Sequence, residues 1–209
     1  MDQSALMSRA DDLSKFGLGY TAPNPIVGCI IVDSKGNVIA EEFHNGGAHA
    51  ESKAINSLSA IPSDATLFTT LEPCDHYGKT EPCSDLIIKS GIKNVIYSIT
   101  DPNPIAQGGS KKLRDAGLNV TSGVLTEKVE FTNRHWLQKI KTGRPYFTWK
   151  IAMTLDGKIA ALDGSSKWIT SVESRGDVSK LRSQADAVLI GTGTALADNP
   201  SLNSHNIDR

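Results

Sequence analysis

The chain has 209 residues, 39% of them hydrophobic, which is enough for one large domain, or for one domain and part of another, with an ordinary buried core. Its 22 basic and 23 acidic residues give a formal net charge of −1, without the one-sided positive field typical of nucleic-acid-binding proteins. The apolar runs are too short for a transmembrane helix, and the acidic N-terminal sequence does not resemble a signal peptide, so the cytoplasm is the expected location.

The predicted helices and strands alternate along the first two thirds of the chain. Hydrophobic spacing predicts helices at residues 3–16, 49–58, 84–89, 110–116 and 126–140. Strands are predicted at residues 26–33, 38–43, 65–71, 94–99 and 118–121. This alternation indicates an α/β domain with a mixed, mostly parallel sheet.

A second region follows a predicted linker, KTGRP, at residues 141–145. The pattern then restarts with a predicted strand at 146–153, a helix at 172–182 and a strand at 187–190. We therefore expect a first domain over residues 1–143 and a second, incomplete α/β domain over residues 144–209, which is short for a closed core.

Two of the three cysteines, Cys74 and Cys83, are nine positions apart, which suggests either a disulfide or a metal site. In the cytoplasm a metal site or free thiols are more common than a disulfide. His49 begins the second predicted helix, Cys74 follows a strand and Cys83 opens the next helix, so all three side chains can meet. Zinc accepts one histidine and two cysteines and keeps a fourth position for water. Cys29 lies in an apolar run and is predicted to be core.

Glu51 lies two residues after His49. At this spacing its side chain cannot point in the same direction as the His49 ligand, but it can reach a water bound to the metal. It is expected to take a proton from that water and pass it to a leaving amine. The arrangement H-x-E followed by P-C is the signature of zinc deaminases of nucleobases. Two other readings remain open: a deaminase of another nucleotide or of a nucleic-acid base, and a binding protein that holds zinc without chemistry. The near-neutral charge argues against a nucleic-acid substrate, and the intact Glu51 argues against a purely binding role.

Several motifs occur together from about residue 6 to residue 202. They are TAPNPIVGCIIV, HAE, TLEPCDHYGKTEPC, DPNP, WKIAMTLDGKIA, SKWIT and GTGTALADNP. In combination they resemble the bifunctional deaminase/reductase family of bacterial riboflavin biosynthesis. The resemblance implies a cytidine-deaminase-like three-layer domain followed by the start of a dihydrofolate-reductase-like domain. It also implies a homo-oligomer that acts on a small molecule, without nucleic acid or membrane.

The resemblance implies the substrate 2,5-diamino-6-(5-phosphoribosylamino)pyrimidin-4(3H)-one, from which a ring amine leaves as ammonia. It assigns zinc to His49, Cys74 and Cys83 and the proton shuttle to Glu51. The substrate contacts of the deaminase carry over to Asn24, His44, His76 and Lys79. His44 and His49 are only five positions apart, a shorter loop than is usual in the family.

For the second domain, the resemblance implies reduction of the ribosyl group by NADPH. The cofactor positions carry over to Ala152, Trp168, Thr194 and Asp198, and the substrate positions to Ser166, Arg182 and Leu202. His205 stands where the family has an arginine. Because later motifs of such a domain are absent from this sequence, we expect the 209-residue chain to deaminate but not to reduce its product.

Overall fold

The computed structural model describes residues 2–78 and 81–204. The chain divides into two compact units, Met1–Tyr146 and Phe147–Arg209. The helices of the first unit are α1 (Gln3–Ser14), α2 (Ala50–Asn56), α3 (Cys83–Ser90), α4 (Gly109–Asp115), α5 (Thr126–Thr132) and α6 (Arg134–Thr142). A 3₁₀ turn at Lys15–Gly17 extends α1. The strands are β1 (Gly28–Val32), β2 (Val38–Phe43), β3 (Thr66–Leu71), β4 (Asn94–Ile99) and β5 (Asn119–Ser122).

The five strands form one mixed sheet in the order β2-β1-β3-β4-β5. β1 pairs antiparallel with both β2 and β3, whereas β3 and β4, and β4 and β5, pair in parallel. It follows that β1 runs against the other four strands. The sheet is therefore mixed with most strands in one direction, as the sequence pattern predicted.

The sheet is covered on both faces, which explains why its central strands are apolar without interruption. Along β1, Cys29 and Ile31 face a core with α2, α3 and α4, whereas Ile30 and Val32 face a core with α1. Every residue of β1 and β3 is buried. The result is a three-layer arrangement of helices, sheet and helices.

Because β3 and β4 are parallel, their carboxyl ends lie side by side at the same end of the sheet. Leu71 and Ile99 are paired there, and Glu72 extends the pairing by donating its N–H to Ile99 O at 2.9 Å. The chain after β3 carries Cys74, and the chain after β4 leads to α4. Both segments therefore begin from one fixed point of the sheet.

The single helix predicted at residues 126–140 is wrong, because two helices, α5 and α6, occupy this stretch. They meet at Asn133, whose φ of −91° and ψ of 11° depart from helical geometry. Asn133 is 3% exposed, so tertiary packing fixes the break in a stretch whose hydrophobic spacing is continuous.

The second unit contains α7 (Val172–Ser183) and α8 (Thr192–Asp198). The predicted helix at 172–182 is confirmed, and the Ser171 side chain caps it by accepting from Ser174 N at 3.2 Å. The strands predicted at 146–153 and 187–190 are wrong: these stretches are extended or irregular, and no strand pairs with them among the described residues. A strand requires a hydrogen-bonded neighbour, which an apolar pattern alone does not supply. Among the described residues, the helices are all too short or too polar to span a bilayer.

Candidate metal centre and active site

His49, Cys74 and Cys83 come from three different segments and meet at one point. His49 immediately precedes α2, Cys74 follows β3, and Cys83 is the first residue of α3. Pro82 is the N-cap residue of α3, and its non-helical φ of −56° and ψ of 139° place the start of the helix at Cys83. The three donor atoms lie within 4.8 Å of one another.

The separations of these donor atoms suit a tetrahedral ion. His49 Nδ1 lies 3.3 Å from Cys83 Sγ and 3.5 Å from Cys74 Sγ. With zinc bonds of about 2.0 Å to nitrogen and 2.3 Å to sulfur, two tetrahedral ligands are about 3.5 Å apart. Both cysteines are free thiols in the structure, so they do not form the alternative disulfide. The one imidazole and two thiols therefore fit zinc in both chemistry and spacing.

The same three groups share protons in a way that favours a bound cation. Hydrogen bonds from Cys83 and His49 lower the pKa of the Cys74 thiol, so Cys74 is the thiolate of the group. The Cys83–Cys74 hydrogen bond raises the pKa of Cys83, which keeps its proton. The hydrogen bond to Cys74 raises the pKa of His49 to about 9. A metal ion can replace both retained protons and satisfy all three donors.

Glu51 lies in the first turn of α2, next to this group. It is 4% exposed, and burial, opposed by the charge of His49, raises the pKa of its carboxyl to about 7. A carboxyl with a pKa near neutrality can accept a proton and give it back within one reaction. The position and burial of Glu51 suit the proton-transfer role predicted from the H-A-E motif.

His44 packs against His49 although the loop between them is short. The two imidazole rings meet edge to face with centroids 5.5 Å apart. His44 is 3% exposed, its Nδ1 hydrogen-bonds Ala48 O at 3.1 Å, and burial lowers its pKa. Its Nε2 is buried without a hydrogen-bond partner among the described residues. His44 therefore offers one unused polar atom close to the metal group.

The other predicted substrate contacts differ in their surroundings. His76 is half-buried, and its Nδ1 is buried without a partner among the described residues. Asn24 is exposed in the loop before β1, where its N–H donates to Thr21 O at 2.8 Å. Lys79 lies outside the described residues.

Glu72 has a positioning role that the sequence analysis missed. It is 3% exposed, and its carboxylate accepts hydrogen bonds from Asp101 N at 3.2 Å and Ser110 N at 3.0 Å. These bonds tie the segment before Cys74 to the chain that leads into α4. The available signal was an acidic residue placed directly after the buried strand β3, where an unpaired carboxylate is rarely tolerated.

In the second unit, Ser166 and Trp168 line a cavity of about 470 Å³ together with Thr154, Asp156 and Lys158. The Arg175 guanidinium lies 4.4 Å from the centroid of the Trp168 ring. The remaining predicted reductase residues are not among the residues that line this cavity. They are Ala152, Arg182, Thr194, Asp198 and Leu202. The structure thus brings together two of the seven residues that the resemblance assigned to reduction.

Comparison with protein families gives two matches along the chain. Residues 1–99 match the cytidine and deoxycytidylate deaminase zinc-binding region, and residues 145–209 match the RibD C-terminal domain. The riboflavin biosynthesis protein RibD of Actinobacillus pleuropneumoniae is 49% identical over 201 residues, which cover 95% of this chain and 53% of that protein. The chain therefore spans about half the length of the curated relatives it matches.

Comparison with solved structures also finds proteins of this kind, matched along nearly the whole of this chain. A diaminohydroxyphosphoribosylaminopyrimidine deaminase/5-amino-6-(5-phosphoribosylamino)uracil reductase of Thermotoga maritima superposes with a TM-score of 0.92 at 46% identity, covering 98% of this chain and 59% of that one. Acinetobacter baumannii RibD superposes with a TM-score of 0.87 at 40% identity, covering 99% of this chain and 59% of that one.

The three-layer fold and the His-Cys-Cys group define the first unit as a zinc-binding domain of the cytidine deaminase class. The two family matches together cover most of the chain, and its identity to RibD proteins extends across both of them. The chain is similar to RibD riboflavin biosynthesis proteins along nearly its whole length, which confirms the resemblance drawn from the motifs.

Proposed function

We propose that the first unit is a zinc-dependent deaminase that converts 2,5-diamino-6-(5-phosphoribosylamino)pyrimidin-4(3H)-one to its ring-oxo product and ammonia. The observation that carries this proposal is the convergence of His49, Cys74 and Cys83 within 4.8 Å beside the buried Glu51. The similarity to the Thermotoga maritima deaminase/reductase, whose name states this type of substrate, supports the choice of pyrimidine.

In this proposal His49 Nδ1 and the sulfur atoms of Cys74 and Cys83 hold the zinc ion. Zinc supplies one piece of chemistry, which is to lower the pKa of a coordinated water to about 7. Glu51 accepts the proton of the attacking water on its carboxylate. It then transfers that proton to the exocyclic amine, which leaves as ammonia while the ring carbon keeps the oxygen. The burial of Glu51 supports this role, because it keeps the carboxyl pKa near neutrality.

The substrate contacts that we propose are Asn24, His44, His76 and Lys79. The unpartnered Nε2 of His44 and Nδ1 of His76 support a polar ligand, because buried polar atoms normally have a hydrogen-bond partner. Lys79 is proposed to bind the phosphate as a compact positive charge. Asn24 has an amide that can donate to and accept from a ring edge.

We further propose that residues 1–143 form the deaminase domain and residues 144–209 the first part of a reductase domain. The positions proposed for NADPH are Ala152, Trp168, Thr194 and Asp198, and those proposed for the reduced substrate are Ser166, Arg182 and Leu202. The match of residues 145–209 to the RibD C-terminal domain supports this assignment. Our expectation that this chain deaminates but does not reduce its product stays a prediction, which an NADPH-oxidation assay tests.

We also propose that the protein works in the cytoplasm as a homo-oligomer on a small-molecule substrate. The free thiols of Cys29, Cys74 and Cys83 support a reducing compartment. The formal net charge of −1 supports a small molecule over a nucleic acid. Light scattering of the purified chain measures the oligomeric state.

The decisive experiment compares ammonia release from a panel of amines. The panel contains the proposed diaminopyrimidinone, cytidine, deoxycytidine monophosphate and a single-stranded oligonucleotide that contains cytosine and adenine. Release from the first compound alone supports the proposal. Release from a nucleoside or the oligonucleotide would favour a different deaminase, and no release by a zinc-loaded protein would favour a binding role.

A further inference from the structure

Lys112 of α4 contacts both of the segments that carry the cysteines. Its Nζ lies 2.7 Å from Asp75 Oδ1 and 2.7 Å from Asp85 Oδ1. Asp75 directly follows Cys74, and Asp85 is two residues after Cys83. One ammonium group therefore joins the chain after β3 to the first turn of α3, although it touches neither sulfur atom.

Ser84 completes the connection between these two segments. Its Oγ donates to Asp75 Oδ1 at 2.8 Å, the same oxygen that Lys112 contacts, and its N–H donates to Cys74 O at 3.1 Å. Cys83 N donates to Cys74 Sγ at 3.4 Å. Hydrogen bonds therefore join Cys74 and Asp75 to Cys83 and Ser84, and Lys112 contacts the same Asp75 oxygen.

The start of α4, the helix that carries Lys112, is itself held to the segment around Cys74 by hydrogen bonds. Glu72 accepts from Ser110 N in the first turn of α4, and Asp75 N donates to Ala106 O at 3.0 Å in the loop before it. Ala106 is 6% exposed and packs with both cysteines in one apolar cluster. Because α4 is anchored in this way, the Lys112 side chain holds Asp75 and Asp85 at a defined distance from each other.

Isolated ion pairs on a protein surface contribute little, because ordering two long side chains offsets a screened attraction. The Lys112 contacts differ in two respects. The side chains of Lys112, Asp75 and Asp85 are 34%, 28% and 20% exposed, so water screens them less than fully exposed groups. Without the ammonium, two carboxylates held around one point would also repel each other and separate the two segments.

We propose that Lys112 is a positioning residue of the metal centre, which sets the separation of Cys74 and Cys83 before the ion binds and so strengthens metal binding. This inference rests on the proposed zinc site. It predicts that removal of the ammonium weakens zinc binding by the folded protein, whereas a merely structural ion pair would change only the stability of the fold.

The chain offers a matched control in the neighbouring residue. Lys111 also lies in α4 and pairs with Asp115 at 2.6 Å, but this pair stays within its own helix. The zinc dissociation constant of the purified full chain is measured by competition with a chromophoric chelator for the wild type, Lys112→Met, Lys112→Arg and Lys111→Met. Unfolding of each zinc-free protein in denaturant is measured in parallel.

Lys112→Met is expected to weaken zinc binding about 10-fold or more, as for other residues behind metal ligands. Lys111→Met should bind zinc as the wild type does, and Lys112→Arg, which keeps the charge and the donors, should recover most of the affinity. Asp85→Asn removes the negative charge from the contact to α3 alone and should also weaken binding. If Lys112→Met fails to fold, the zinc affinity of Asp85→Asn tests the proposal instead.

Equal zinc affinities for Lys112→Met and Lys111→Met, in a protein whose wild type binds zinc tightly, would overturn the role of Lys112 and leave the proposed function intact. Wild-type affinity in Asp85→Asn, in the case where Lys112→Met does not fold, would overturn it as well. A wild type that binds no zinc would overturn both this inference and the proposed function.

Discussion

A Cβ atom on Gly109 would lie 1.8 Å from the carbonyl oxygen of Pro73. The first turn of α4 therefore packs directly against the peptide bond that precedes Cys74, and only glycine permits this approach. Gly109→Ala is expected to lower the free energy of unfolding by about 1–3 kcal/mol, because the backbone on one side of the contact must shift. Denaturant unfolding measures the change.

Gly47→Ala is the control for this substitution. A Cβ atom on Gly47 meets no heavy atom within 4 Å. Its effect on stability should stay within about 0.5 kcal/mol, as for most surface changes. Similar losses in the two variants would mean that the close approach of Gly109 to Pro73 has no special cost.

Zinc binding is expected to release about two protons per chain at pH 7. One proton comes from His49, whose pKa is raised to about 9, and one from Cys83, whose pKa is also raised, whereas Cys74 is already a thiolate. Because protons compete with the metal, the apparent zinc affinity should increase as the pH rises toward 9. Calorimetric titrations in buffers of different ionisation enthalpy count the protons.

In the same titrations Cys83→Ala should release about one proton and bind zinc more weakly, because one of the two retained protons and one ligand are lost. Release of no protons by the wild type would contradict the proton sharing inferred from the three pKa shifts.

The sequence predicted the metal group well because each member is marked by its own neighbours. His49 stands at the start of a helix with Glu51 after it, and Cys74 and Cys83 each follow a proline. The positioning contacts left no such local mark. Lys112 reaches Asp75 across 37 positions, and a surface lysine in a helix normally indicates only solvent exposure.

Much of the fold was also predictable from the sequence. The predictions that failed did so because they depend on contacts between residues that are distant in the sequence. Short continuous apolar runs made β1 and β3 recognisable, because both faces of the sheet are covered and every residue of these strands is buried. The break at Asn133 depends on tertiary packing, and the hydrophobic spacing of residues 126–140 continues across it. Similarly, the apolar alternation at 146–153 specifies one face of a strand but not the neighbour with which it would pair.

Glu51→Gln should leave the zinc content unchanged and lower the deamination rate at least about 100-fold, the lower range for general acid–base catalysis. Glutamine keeps the size of the side chain but cannot carry the transferred proton. Metal analysis and ammonia release on the same sample measure the two effects. Glu41→Gln is the control, because Glu41 pairs with Arg9 on the surface at 2.7 Å. Normal deamination by Glu51→Gln would exclude the proton-transfer role.

Lys79→Ala should raise the KM for the phosphorylated pyrimidine far more than the KM for its dephosphorylated analogue. The reason is chemical: an ammonium group that binds phosphate contributes nothing to a substrate without phosphate. The expectation rests on the DHYGKT motif between the two cysteines, since Lys79 is outside the described residues. Lys35→Ala removes one positive charge from the exposed turn between β1 and β2, so it controls for the general effect of charge on an anionic substrate. Steady-state kinetics with both substrates separate the cases. If Lys79→Ala raises both KM values equally, or matches Lys35→Ala, the phosphate contact must be assigned to another residue.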